Sequence, residues 1–159
     1  MNKRRVLVYE KFPGDKKTYK MDRILIGEDD LPYLAGLFDG EGSICRSGNS
    51  LVFGFTNTDR LAVESFASAF GGYVTYRERK PYKDCWQWQL SNHDEMWEFL
   101  RWITPYLRIK RQQAELAWEW LVNKDKEYRK ALLDNITELN HKGNHYVTAI
   151  SYLGESKNE

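Results

Sequence analysis

Between Leu34 and Gly42 the chain reads LAGLFDGEG, and its two acids, Asp39 and Glu41, have the surroundings most suited to chemistry. Leu34, Leu37 and Phe38 make the segment apolar on more than one side, so it should form a buried helix. Asp29-Asp30 supply capping acids ahead of Leu31-Pro32, and proline is tolerated in a first turn. The helix is therefore expected from Leu31 to Asp39, ending in a Gly40-Glu41-Gly42 turn. Gly36 and Gly40 each cost roughly 1 kcal/mol relative to alanine in a helix interior. At that spacing, with Ala35 beside them, they leave a groove that another backbone can approach. Asp39 and Glu41 have no sequence-local Arg or Lys to neutralise them, which points to a metal or a partner chain. The alternative is a glycine-rich turn whose acids are simply solvated.

Strands that could carry a second kind of chemistry follow. Ser43–Arg46 and Leu51–Asn57 are β-prone and joined by Ser47-Gly48-Asn49-Ser50, a hairpin signal. Thr58-Asp59 can cap a helix that Gly71-Gly72 stops after Phe70. A second hairpin is expected from Tyr73–Glu78 and Asp84–Ser91, its return strand alternating Trp86, Trp88, Leu90 against Cys85, Gln87, Gln89. Helices follow from Asn92–Asp94 to before Pro105, over Arg111–Val122 and over Asp125–Leu139. The order predicts an α+β fold: a four-stranded, mostly antiparallel sheet with helices on one face, an αββαββα core plus C-terminal helices. One sheet face would be aromatic and buried. The other would show Cys45, Ser47, Gly54, Thr75, Arg77, Gln87 and Gln89. Such a face suits a DNA major groove, where Arg and Gln contact purine edges in pairs, or it is an ordinary solvated surface.

Composition bounds these readings. With 42% hydrophobic and 14% aromatic residues in 159, the chain can build a core and is not expected to be disordered. Two cysteines, Cys45 and Cys85, cannot make a disulfide framework or a four-cysteine metal site. No segment reads as a membrane span, and the apolar stretch after the basic Met1–Arg5 is only Val6–Tyr9, so an intracellular, non-secreted protein is expected. The net charge of +1 hides basic clusters at 73–83 and at 101–111. Residues 1–29 read as an appendage, with Val6–Tyr9 and Arg23–Ile26 as a possible hairpin around Phe12–Asp15, ahead of a domain at 30–159.

The stretch LAGLFDGEG, with Ser43-Ile44 after it, two hairpins interrupted by a helix, and Pro105–Lys110 before a glutamine-rich helix start, resembles the LAGLIDADG homing endonucleases, in their single-motif branch. The similarity spans about Leu31 to Leu121. The resemblance implies a homodimer, since one motif and no repeat are present, with Leu34, Ala35, Gly36, Phe38, Asp39 and Gly40 at the interface. It implies an enzyme of intron homing that hydrolyses one phosphodiester per strand of double-stranded DNA at a long pseudo-palindromic site. Magnesium, with manganese able to substitute, would be held by Glu41 and the Gly40 carbonyl; relatives most often carry aspartate at that position. Asn57 corresponds to a polar position that orders water, and Lys110 to a lysine near the scissile phosphate. A further basic position falls on Leu61, with Arg60 adjacent. The base-reading positions fall on the seven residues of the polar face. Arg46, Arg79, Lys80, Lys83, Arg108 and Arg111 are the phosphate candidates. The resemblance also admits a non-cleaving relative, an RNA-splicing maturase or a DNA-binding regulator.

Elsewhere the signals are weaker. His141 and His145 have the spacing of a helical zinc pair, but Gly143 intervenes and a solvated loop is the expectation. His93 reads as part of a helix cap, and Trp97, Trp102, Trp118 and Trp120 as packing residues.

Overall fold

A computed structural model describes residues 17–142. The expected strand Val6–Tyr9, the turn Phe12–Asp15 and His145 lie outside the described residues. The elements run β1 (Thr18–Tyr19), α1 (Asp30–Glu41), β2 (Gly42–Ser47), β3 (Ser50–Asn57), α2 (Arg60–Phe70), β4 (Tyr73–Arg77), β5 (Cys85–Leu90) and α3 (His93–Ile103). A 3₁₀ turn (Thr104–Tyr106), α4 (Arg111–Val122) and α5 (Lys126–Lys142) complete the order.

Local chemistry accounts for the boundaries. The Asp59 carboxylate accepts from the Leu61 and Ala62 N–H groups at the start of α2, and the Asn92 amide oxygen accepts from Glu95 N–H at the start of α3. Gly48, at φ +60°, begins a two-residue β2–β3 turn in which Asn49 keeps a negative φ, the type II′ pattern that matches strand twist. Helix α1 runs through Gly40 to Glu41 rather than ending at Asp39.

All strand pairs are antiparallel, in the order β1-β4-β5-β3-β2. The expected four strands are thus joined by a fifth, β1, which pairs Thr18 with Thr75 and Tyr19 with Val74. Arg23–Ile26 is not a strand; it runs irregularly along α2, with Ile24 N–H donating to the Ser68 carbonyl. One sheet face buries Ile44, Leu51, Phe53, Phe55, Val74, Trp88 and Leu90, against which α1, α2 and α3 pack. Phe99 of α3 is the hub, its ring 5.0 Å from Phe38, 4.9 Å from Phe70 and 5.5 Å from both Phe53 and Trp88. Burial of each such side chain contributes ~1.5–3 kcal/mol, which holds α1 firmly to the sheet.

Among the tryptophans, Trp88 and Trp120 are buried, but Trp97 and Trp102 stand on the surface of α3, correcting the expectation of packing. Their apolar rings are screened in part by the Arg101 guanidinium, 5.5 Å from Trp97 and 5.7 Å from Trp102, and by the Trp97–Trp118 pair at 5.2 Å. Among the described residues no helix is long and apolar enough to cross a membrane.

Candidate active site

The last turn of α1 is where the candidate chemistry gathers. Glu41 is exposed at the helix end, and its Oε2 accepts from Asn57 Nδ2 at 2.7 Å. Asn57 closes β3, and its own Oδ1 accepts from Asp59 N–H at 2.8 Å. The amide is therefore held at both ends, and so presents Glu41 in one orientation. Lys110, 69 residues further along than Glu41, donates from Nζ to the Asp39 carbonyl at 2.6 Å. Positions 41, 57 and 110 thus meet at one helix terminus.

Asp39 behaves differently from its neighbour acid. Side chains two apart on a helix do not share a face, and the Asp39 carboxylate turns away to accept from Arg108 N–H at 2.8 Å and Lys110 N–H at 3.0 Å. Its carboxylate, expected at a dimer interface, is engaged within its own chain. Sequence reasoning missed this because nothing local shows that residues 108–110 return to α1. Lys110 is half-buried, and that burial pushes its pKa below the ordinary lysine value, with the Asp39 carboxylate and the Cys45 thiol opposing the shift.

The cation inventory at this terminus is short. Arg60, the candidate for the further basic position, is engaged elsewhere: its Nε donates to Glu64 Oε1 at 2.6 Å, while Leu61 is exposed. Among the described residues no group of three or more His, Cys, Asp or Glu side chains converges.

Three other interface candidates lie inward. Leu34, Ala35 and Phe38 are buried in their own core, since they lie on the sheet side of α1. The outward side of α1 instead carries Tyr33, Gly36 and Gly40, with Leu37 at its edge partly buried against the core. A Cβ on Gly36 or Gly40 would meet nothing within 4 Å, so nothing inside this chain calls for glycine at either position.

The polar sheet face is assembled by register. Gly54 pairs with Gln89 and Thr75 with Gln87, and Cys45, Ser47 and Arg77 have the same strand parity. Thr56 and Thr18 share that face, which strand alternation across β3 and β1 explains. A depression of about 800 Å³ is lined there by Lys17, Thr56, Thr75, Arg77, Arg79 and Gln87 among others. Gln87 Oε1 is buried without a hydrogen-bond partner among the described residues, and Thr75 Oγ1 lies 3.0 Å from Thr18 Oγ1.

The phosphate candidates separate. Arg46 lies on the opposite side, because it shares parity with buried Ile44, and it bonds Asp134 at 2.6 Å and the Gly48 carbonyl at 2.8 Å. Lys80 pairs with Glu78 and Arg111 with Glu115, both exposed pairs of small energetic weight. Arg79, Lys83 and Arg108 are exposed. His93 opens α3 and stacks edge-on against Trp120.

In comparisons with solved structures, the chain is similar to the homing endonuclease I-CvuI, solved in complex with DNA targets in the presence of magnesium or calcium. The TM-score is 0.57 at 20% identity, covering 70% of this chain and 82% of that one. It is similar also to the archaeal intron-encoded homing endonuclease I-Vdi141I, complexed with DNA, with a TM-score of 0.58 at 18% identity, covering 79% of this chain and 98% of that one. No family profile matches the sequence, and no curated protein matches it. The likeness is one of fold: this α+β chain is built as those homing endonucleases are.

Proposed function

We propose that the chain is a divalent-metal-dependent endonuclease that cuts double-stranded DNA at a specific site as a homodimer. The observation that carries this reading is the meeting of Glu41, Asn57 and Lys110 at the exposed end of α1. The fold supports it, since the two neighbours named above are DNA complexes.

The donors present fit a hard divalent cation. The Glu41 carboxylate and the Gly40 carbonyl offer oxygens at a helix C-terminus, where the backbone dipole is negative. Glu41 Oε1 has no partner among the described residues, so the oxygen opposite the Asn57 contact is open to a ligand. Magnesium, or manganese on the same donors, would supply Lewis acidity toward a phosphate oxygen and toward water.

The remaining work falls to side chains of the chain. Asn57 fixes the carboxylate so that it needs no reorganisation. Lys110 brings a positive charge that stabilises negative charge developing on phosphate. Arg77, Gln87 and Gln89 can read purine edges from the sheet, while Arg79, Lys83 and Arg108 engage phosphates without specifying sequence. A second copy meets the first along Gly36 and Gly40, bringing two Glu41 carboxylates close. Like charges at short range raise one another's pKa unless a cation lies between them, so the dimer itself favours metal. Two-fold symmetry then gives one cut per strand and a near-palindromic site.

Incubating a plasmid library of randomised or genomic inserts with the protein tests this, in magnesium and in EDTA, with wild type and Glu41→Gln. Magnesium-dependent double-strand cuts at one long sequence, lost in the variant, are expected. If neither protein cuts but both shift one DNA sequence, the chain is a DNA-binding regulator. Binding of structured intron RNA without DNA binding would identify a maturase.

A further inference from the structure

The three bonds between residues 39 and 108–110 form a closed latch whose parts explain one another. Lys110 is the N-cap residue of α4, yet lysine has no acceptor and its side chain makes no capping bond. What fixes the chain entering α4 comes instead from across the fold, and it engages the residues ahead of the helix. Asp39 Oδ2 takes Arg108 N–H at 2.8 Å and Oδ1 takes Lys110 N–H at 3.0 Å, one oxygen to each. Lys110 Nζ returns the contact to the Asp39 carbonyl at 2.6 Å. On the far side Leu107, 1% exposed, pins the same segment into the core. A lysine stem has four rotatable bonds, so an ammonium needs such a fixed backbone to occupy one place.

We infer that Asp39 is a positioning residue, whose carboxylate holds the 108–110 backbone so that the Lys110 ammonium lies at the end of α1, two residues before Glu41. The role assigned to Lys110 rests on the endonuclease reading; the latch itself does not. With both carboxylate oxygens turned onto the 108–110 backbone, Asp39 acts through Lys110. Its paired appearance with Glu41 in the sequence then has two separate reasons: one acid faces the site and the other ties in the lysine.

Asp39→Asn and Asp39→Ala test the inference with two readouts. The first needs no DNA: backbone amide exchange followed by NMR. Lys110 and Arg108 N–H should exchange faster in Asp39→Ala, and by a smaller factor in Asp39→Asn, which keeps the shape and one acceptor oxygen. The second uses the site recovered from the plasmid library. Single-turnover cleavage at saturating DNA should fall by about 100-fold in Asp39→Ala, as for a misplaced catalytic group, while the DNA Kd stays near the wild-type value. Asp39→Asn should restore part of that rate. Unchanged Lys110 exchange in both variants would overturn the inference, as would wild-type cleavage by Asp39→Ala. Cleavage and DNA binding lost in equal proportion, in the well-folded Asp39→Asn as well, would make Asp39 merely structural and also overturn it. If wild type cuts no DNA, the endonuclease reading fails separately, and amide exchange alone decides whether Asp39 holds Lys110.

Discussion

At the scale of single residues, three glycines of one nonapeptide obey different physics. Gly36 and Gly40 face open space, but a Cβ on Gly42 would lie 2.2 Å from the Phe38 ring. Gly42 has an ordinary negative φ, so room rather than backbone conformation demands glycine there. Phe38 is fully buried beside Phe99, so its ring cannot yield cheaply. Gly42→Ala should therefore destabilise the fold by about 1–3 kcal/mol through overpacking. Gly40→Ala, in the same turn, should leave the single chain unharmed. Urea unfolding at low protein concentration separates them; equal midpoints would show that Phe38 moves aside. The sequence displayed the Gly36–Gly40 spacing and what it suggests, but not the Gly42–Phe38 contact, which exists only once β2 folds back under α1. The same limit hid the path of Asp39: helical spacing shows that Asp39 and Glu41 diverge, whereas the arrival of residues 108–110 is a tertiary fact.

Elements were legible where local chemistry punctuates them. Asp59 and Asn92 mark two helix starts by capping, Gly48-Asn49 marks a tight turn, and the alternation through β5 sets both sheet faces. That alternation is why the seven polar-face residues share one side, and why Arg46, one residue after Cys45, does not. Strand β1 was not legible, because two residues are too few to show a period. What holds β1 is tertiary. Tyr19 buries its ring, and its hydroxyl donates to Glu64 Oε1 at 2.7 Å, the same oxygen that Arg60 engages. Burial first, and then the Glu64 carboxylate, push the Tyr19 phenol pKa above its ordinary value. The folded chain thus keeps a proton that the unfolded chain releases near pH 10. This contribution is complete below about pH 10 and declines as pH rises past it. Tyr19→Phe should cost about 1–3 kcal/mol at pH 8, the worth of a hydrogen bond to a charged group. The gap between variant and wild type should narrow at pH 10.5, measured by urea midpoints at both values. A gap that stays constant or widens would mean that the hydroxyl does not set this dependence.

At the scale of the whole molecule, one chain has half of the proposed catalytic apparatus. Glu41 contributes a single carboxylate, and the outward side of α1 shows Tyr33, Gly36 and Gly40 to solvent. In an isolated protein, glycine at position 36 has no benefit: alanine would lower the helix free energy by about 1 kcal/mol without meeting any atom. A sequence that keeps two such glycines on one uncovered stripe is best explained by a second backbone lying on it, and a like copy requires the same stripe on both sides. Wild type should then sediment at twice the chain mass of 18.8 kDa. Gly36→Leu puts a large side chain where the two backbones cross, yet its Cβ points into free space within each chain. This variant should retain its far-ultraviolet dichroism and sediment as a monomer, and it should lose double-strand cutting together with the dimer. A wild type that stays monomeric even on DNA would remove the reason assigned to these glycines and leave the proposed metal site without its second carboxylate, and a Gly36→Leu dimer with full activity would remove that reason as well.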